Sequence, residues 1–177
     1  ILNPKKFLET INFFLNNKDI SILSIKKKSI NFHARFSAKE RVYKYIIFNR
    51  PSKLSLNNLR GWHIKKKLDV KLMRTAGKKL LGTKDFGTFR AANCGAKSPI
   101  RTLNLVKIKA KGEKIEIWFK SRSFLKQQVR SMVGCLKYLG EKKWDLKKFT
   151  NVMNSKRRSL CAPPAPSYGL YLEKVIY

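Results

Sequence analysis

An arginine with no acid in reach is the first residue in this chain that asks for a chemical reason. In FLKQQVRSMVG, Arg130 has no carboxylate at i±3 or i±4, and Glu141 and Asp145 lie beyond the end of any helix this segment forms. At about 100° per residue, Phe124, Leu125, Gln128, Val129, Met132, Val133 and Leu136 share one arc, and Lys126, Arg130 and Lys137 gather opposite. The helix therefore buries a face without using Arg130. A guanidinium stays charged, so a buried one needs an anion: a distant acid, an RNA phosphate, or a residue these segments do not supply. The bland alternative is a solvated charge whose stem covers apolar surface.

Two further patches bear chemistry. ARFSAKERVYKY sets Arg35, Lys39, Arg41 and Lys44 around Tyr43 and Tyr45. Aromatic rings beside phosphate-binding cations are a common way to hold an unpaired base, although tyrosine in a strand is often only sheet packing. KDFGTFRAANCGAKSPIR carries Arg90, Lys97 and Arg101 with Asp85 and Ser98, punctuated by glycine and proline. It reads as a loop too polar for a core segment, either a contact surface or a bare connection. Its Cys94 has neither His33 nor His63 placed to activate a thiol.

The charge of the whole chain names the kind of partner. Against 41 Lys plus Arg stand 10 Asp plus Glu, a net +31 in 177 residues. The bias runs through IKKKS, HIKKKLD, GKKLLG, GEKKWDLKK and SKRRS with no detachable basic tail. A folded body touching nucleic acid over much of its surface is the expectation, and the charge does not say which nucleic acid. Cys94, Cys135 and Cys161 are far apart, with no CxxC and 2 histidines, so neither a disulfide framework nor a metal site is expected. No cofactor is implied. A reducing compartment fits, mitochondrion or cytoplasm, and no run is long and apolar enough for a membrane span.

The elements that must position these residues follow from caps and periods. Asn3 and Pro4 open a helix using Phe7, Leu8, Ile11, Phe14 and Leu15, followed by a short strand, ISILSI. Residues 42–48 form a strand, and residues 51–62 an irregular connection. Asp69 caps a helix using Leu72, Met73, Ala76, Leu80 and Leu81 that stops at Gly82, and Asp145 caps another over residues 146–153. TLNLVKIKA and KIEIWFKS alternate about KGE as an antiparallel hairpin, and LYLEKVIY is a last strand after the crossing CAPPAPSYG. The fold class is α+β: one domain over residues 1–177, an antiparallel sheet with helices on one face, and residues 1–29 leading into it.

Taken in order, FHARFSAKERVYKY, LLGTKDFGTFRA, SPIR, FLKQQVRSMVG and PPAPSYGLYLEKVIY resemble the tRNA pseudouridine synthase A family, whose members isomerise uridines in the anticodon arm of tRNA. The resemblance covers the family's carboxy-terminal half, with residues 1–29 similar to the connection into it. It implies that Tyr43 stacks on the target uracil and that Arg130 pairs with the catalytic aspartate. It further implies that Phe124 and Leu125 wall the base pocket, and that Arg90 and Arg101 lie near the RNA path. The family's aspartate sits in a glycine-arginine-threonine-aspartate type segment that these residues do not contain, and none of Asp19, Asp69, Asp85 and Asp145 has that context. Lys126 and Gln127 stand where many members have histidine, which adds charge near the cleft.

Two functions are therefore expected, in this order. The first is a non-catalytic, RNA-binding relative within a ribonucleoprotein such as a ribosome or mitoribosome. The second is the carboxy-terminal half of an active synthase. The partners implied are structured RNA and either ribonucleoprotein subunits, a separate amino-terminal domain or a homodimer mate.

Overall fold

The computed structural model describes residues 3–177, which divide into two compact units, Ile1–Ser37 and Ala38–Tyr177. In the first, α1 (Pro4–Phe14) starts where its cap predicts: the Asn3 side chain accepts from the Lys5 N–H at 3.0 Å, with proline at the first helical position. ISILSI is not a strand. Its apolar alternation finds no ladder, because the Asn12 side chain takes both the Ile22 N–H and the Ile22 carbonyl at 2.8 Å each. A side-chain amide has substituted for a neighbouring strand.

The second unit is built on strand β1 (Glu40–Asn49), flanked by hairpin β4 (Ile100–Lys111) and β5 (Lys114–Ser121), with β2 (Trp62–Ile64), β3 (Gly82–Asp85) and β6 (Leu170–Ile176) completing the sheet. The order is β2-β1-β5-β4-β3, and β6 pairs with β1 beside β2. All pairings are antiparallel except β1 with β2, where Ile47 faces Trp62 in a parallel register. That short parallel strand lies at the end of the connection read as irregular. Three residues carry too little pattern to announce a strand whose partner is distant in sequence.

Helices α2 (Val70–Lys79), α3 (Gln128–Gly140) and α4 (Leu146–Asn154) cover one face. Asp69 and Asp145 cap α2 and α4 as expected, accepting from Leu72 and Lys148 N–H at 2.9 and 2.6 Å. α2 lies on β4: the Arg74 Nε donates to the Ile108 carbonyl at 3.0 Å, and a Cβ on Gly77 would stand 3.2 Å from Val106. Beneath the helices, Tyr45, Ile47, Leu103, Ile117 and Phe119 form the sheet's share of the core. The opposite face is charged and carries ion pairs, Lys44–Glu173 at 2.6 Å, Lys120–Glu40 at 3.1 Å and Lys114–Glu116 at 2.7 Å, with Lys107 and Lys109 of β4 adding positive charge beside them.

Residues 84–101 depart from expectation. The polar composition hides Phe86, Thr88 and Phe89, all fully buried. The run first pairs as β3 with β4, then coils as a 3-10 turn, Gly87–Phe89, that tucks both rings inward. Each such ring is worth about 1.5–3 kcal/mol of burial, enough to anchor a segment whose other residues face water. The Thr88 hydroxyl donates to the Val152 carbonyl at 3.0 Å, tying the turn to α4.

Candidate active site

Tyr43 leaves β1 where the pairing with β6 shifts register between Val42 and Tyr43. By strand alternation its side chain is on the helix-covered face with Tyr45. Its ring meets Phe124 edge to face, centroids 5.2 Å apart at 89°. Phe124 is presented by a turn at the end of β5, where the buried Ser121 hydroxyl donates to the Ser123 carbonyl at 2.8 Å.

α3 does not begin at Phe124, as the apolar arc suggested, but at Gln128. Gln127 is left-handed, φ 62°, and the Gln128 side chain turns back so that its oxygen accepts from the Leu125 N–H at 2.8 Å. Residues 124–127 thereby form a non-helical wall that ends in a turn, with the Gln128 N–H donating to the Leu125 carbonyl at 3.1 Å. The Ala91 N–H donates to the Lys126 carbonyl at 2.9 Å and fixes that wall from behind. Tyr43, Phe124, Leu125, Lys126, Gln127, Gln128, Val129, Arg130 and Leu170 line a cleft of about 270 Å³. Leu125 is 4% exposed and supports the cleft from within the core.

Arg130 sits in the first turn of α3 and is held by the crossing segment that follows α4. Its Nε donates to the Ala165 carbonyl at 2.6 Å, and the Ala165 N–H donates to the Arg130 carbonyl at 3.0 Å. The approach is close because Gly134 has no side chain: a Cβ there would lie 2.1 Å from the Pro163 carbonyl oxygen. Downstream, the Tyr45 hydroxyl donates to the Pro166 carbonyl at 2.8 Å. Burial pushes this phenol up, the neighbouring Tyr168 adds to the effect and the Arg130 charge opposes it, so Tyr45 remains a neutral donor. The crossing segment thus makes α3 buried on nearly all sides, with Arg130 at the residual opening.

One nitrogen of the guanidinium is fixed, and among the described residues no carboxylate forms an ion pair with Arg130 or lines the cleft. The acids of the second unit are engaged elsewhere: Asp69 and Asp145 as helix caps, Glu40, Glu116 and Glu173 on the far face of the sheet, Asp85 with the Gly87 N–H, Glu113 with Arg50, and Glu141 between Lys137 and Lys143 at 2.8 and 3.2 Å. A cationic fork beside two aromatic rings can hold a planar base and meet a carboxylate or a phosphate. No group of three or more His, Cys, Asp or Glu among the described residues converges on a metal site.

The cations read from the sequence fall in different places. Lys126 is exposed on the cleft wall, and Arg41, on the Tyr43 side of β1, has its Nη1 hydrogen-bonded to the Arg122 carbonyl. Lys39 is exposed just before β1. Lys44 is on the opposite face, paired with Glu173 and 6.0 Å from the Tyr171 ring. Arg35 belongs to the first unit, 5.6 Å from the Phe36 ring. Arg90 and Lys97 line a second cavity with Lys156 and Arg158, while Arg101 is held by the Ser98 and Ile100 carbonyls at 2.9 and 2.6 Å. Sequence reasoning placed Gln127 near the cleft but missed Gln128, Val129 and Leu170 there, and Lys156 and Arg158 at the cavity. SKRRS showed only as a basic run, and nothing in the spacing signals a left-handed glutamine.

The family described as tRNA pseudouridine synthase matches residues 76–177. The chain is 67% identical over 177 residues to tRNA pseudouridine synthase A of Pelagibacter ubique, covering 100% of this chain and 72% of that protein. It is 39% identical over 176 residues to the protein of the same name from Maricaulis maris, and 41% identical over 174 residues to that of Zymomonas mobilis. These matches cover 99% and 98% of the chain and 71% of each relative.

Proposed function

The chain belongs to the tRNA pseudouridine synthase A family, and on that premise we propose that the cleft at Tyr43 receives a uridine turned out of a tRNA anticodon arm for isomerisation to pseudouridine. The observation that carries this reading is the Arg130 guanidinium, fixed through Nε on Ala165, facing an acid-free cleft between Tyr43 and Phe124. A flipped base leaves its stack at a cost of a few kcal/mol, which contact with aromatic rings offsets. Phe124 and Tyr43 meet edge to face, so a uracil resting on one ring is bounded by the other.

The reaction breaks the bond between N1 and C1′, turns the base, forms a bond between C5 and C1′, and releases the C5 proton to solvent while N1 gains one. A carboxylate acts as nucleophile or base. None lines this cleft, and the family resemblance implies that it comes from a glycine-arginine-threonine-aspartate type segment, which these 177 residues do not contain. Arg130 holds and orients that carboxylate. The cations Lys126, Arg41 and Lys39 serve the RNA backbone. The test is release of tritium from tRNA labelled at uridine C5, using the intact protein. Release that depends on Tyr43 and Arg130 supports the proposal, and binding of tRNA without release opposes it.

A second reading, a non-catalytic RNA-binding part of a ribonucleoprotein, is favoured by one observation, the net charge of +31. It expects tight, salt-sensitive RNA binding in the absence of tritium release. The 67% identity spread over the whole chain, together with the assembled cleft, supports the synthase first.

A further inference from the structure

Where the turn after β3 meets the segment after α4, a second cavity of about 400 Å³ is lined by Asp85, Arg90, Lys97, Lys156 and Arg158 among its residues. Its one carboxylate is already engaged. One Asp85 oxygen accepts from the Gly87 N–H at 2.7 Å, and the other lies 3.9 Å from the Lys156 Nζ. Arg90 has only a long bond, from Nη1 to the Ala96 carbonyl at 3.3 Å. The Arg158 Nη1 is buried with no hydrogen-bond partner, while the rest of the guanidinium lies beside the Cys161 thiol, whose pKa it helps to lower.

A simpler account places cations here to complement the carboxyl end of α4, since Lys156, Arg157 and Arg158 follow its cap at Ser155. That account covers the exposed Lys156. It does not cover a guanidinium nitrogen withdrawn from water and left unpaired, which costs free energy unless an anion completes it. Nor does it explain why Arg90 and Lys97 converge on the same cavity from a segment far away in sequence.

The cavity is coupled to the cleft at Tyr43. Ala91, on its wall, donates its N–H to the Lys126 carbonyl at 2.9 Å, and Lys126 lines the cleft. We propose that this cavity is a phosphate subsite that takes a backbone phosphodiester of the same RNA whose uridine enters the cleft. Arg158 and Arg90 donate to its non-bridging oxygens, and Lys97 and Lys156 close the rim. The assignment rests on the reading that the protein binds RNA at the cleft.

The test is the salt dependence of binding, measured with the intact protein and a labelled anticodon stem-loop RNA over a series of KCl concentrations. Removing one cation from a phosphate lowers the slope of log K against log salt by about 0.7–0.9. Arg158→Gln is expected to flatten the slope by about that much. The double variant Lys97→Gln with Lys156→Gln, which alters only exposed side chains, flattens it as well even if Arg158→Gln folds poorly. Lys111→Gln, an exposed cation away from the cavity, leaves it unchanged. A wild-type slope in both Arg158→Gln and the double variant overturns the proposal. Tyr43→Leu in the same assay separates the two readings: if it leaves binding and tritium release intact, the uridine cleft fails while the slope change at Arg158 still stands.

Discussion

Replacing Gly134 with Ala sets helix propensity against the approach of the crossing segment. Ala is favoured over Gly in a helix interior by about 1 kcal/mol, so α3 alone would gain. In the folded protein the new Cβ falls 2.1 Å from the Pro163 carbonyl oxygen and 3.2 Å from its carbon, inside the 3.4 Å of ordinary contact. A proline backbone cannot rotate out of the way as a flexible side chain would, and it must retreat by roughly 1 Å or more, an overpacking cost of about 1–3 kcal/mol. The retreat carries Ala165 with it and weakens the exchange with Arg130 at 2.6 and 3.0 Å, of which the guanidinium bond is worth about 1.5–3 kcal/mol. Against the propensity gain, a net loss of about 2–4 kcal/mol remains, or a fall in Tm of about 5–15 °C for a domain of this size. Thermal melts by circular dichroism measure it, with Gly95→Ala as the control, since a Cβ on Gly95 meets nothing within 4 Å. If Gly134→Ala melts at or above the parent while Gly95→Ala is neutral, the crossing segment does not hold Arg130 as described.

Tyr45→Phe removes the donor to the Pro166 carbonyl at 2.8 Å and should cost about 1 kcal/mol in urea unfolding; no change would show that the phenol contributes only its ring. Arg130→Lys keeps the charge but loses the Nε bond to Ala165 and the planar fork, so tritium release should fall about 10²-fold or more in kcat with KM little moved. A variant at parent kcat would remove Arg130 from the chemistry. Burial pushes the Glu141 carboxyl up, but the hydrogen bonds and charges of Lys137 and Lys143 outweigh it and hold the group below the usual carboxylate range. A depressed folded pKa contributes stability that is present above the unfolded value and lost as pH falls through the folded one. Glu141→Gln should therefore cost about 1–2 kcal/mol at pH 7 and progressively less in acid, and a pH-independent difference would contradict the ion pairs.

The helices and the main hairpin were legible because their signals are local. Asn3, Asp69 and Asp145 each precede an apolar period, and β4 and β5 alternate about one tight turn. The failures share a different physics. ISILSI alternates as a strand does, but pairing is decided by a neighbour, and Asn12 took its place. Composition averaged over residues 84–101 concealed Phe86 and Phe89, whose burial comes from one 3-10 turn. At the site, the residue types of Tyr43, Phe124 and Arg130 were readable. The wall at 124–127 was not, because a left-handed Gln127 has no sequence signature and the fixing bonds from Ala91 and Ala165 come from distant backbone.

The most direct measurement is a crystal structure of the intact protein bound to an anticodon-arm RNA carrying 5-fluorouridine at the target position. The account predicts a carboxylate within about 4 Å of the Arg130 guanidinium, in ion-pair range, and the modified base against Tyr43 and Phe124. An Arg130 that instead meets a ribose-phosphate backbone, with the uridine stacked elsewhere, would contradict it.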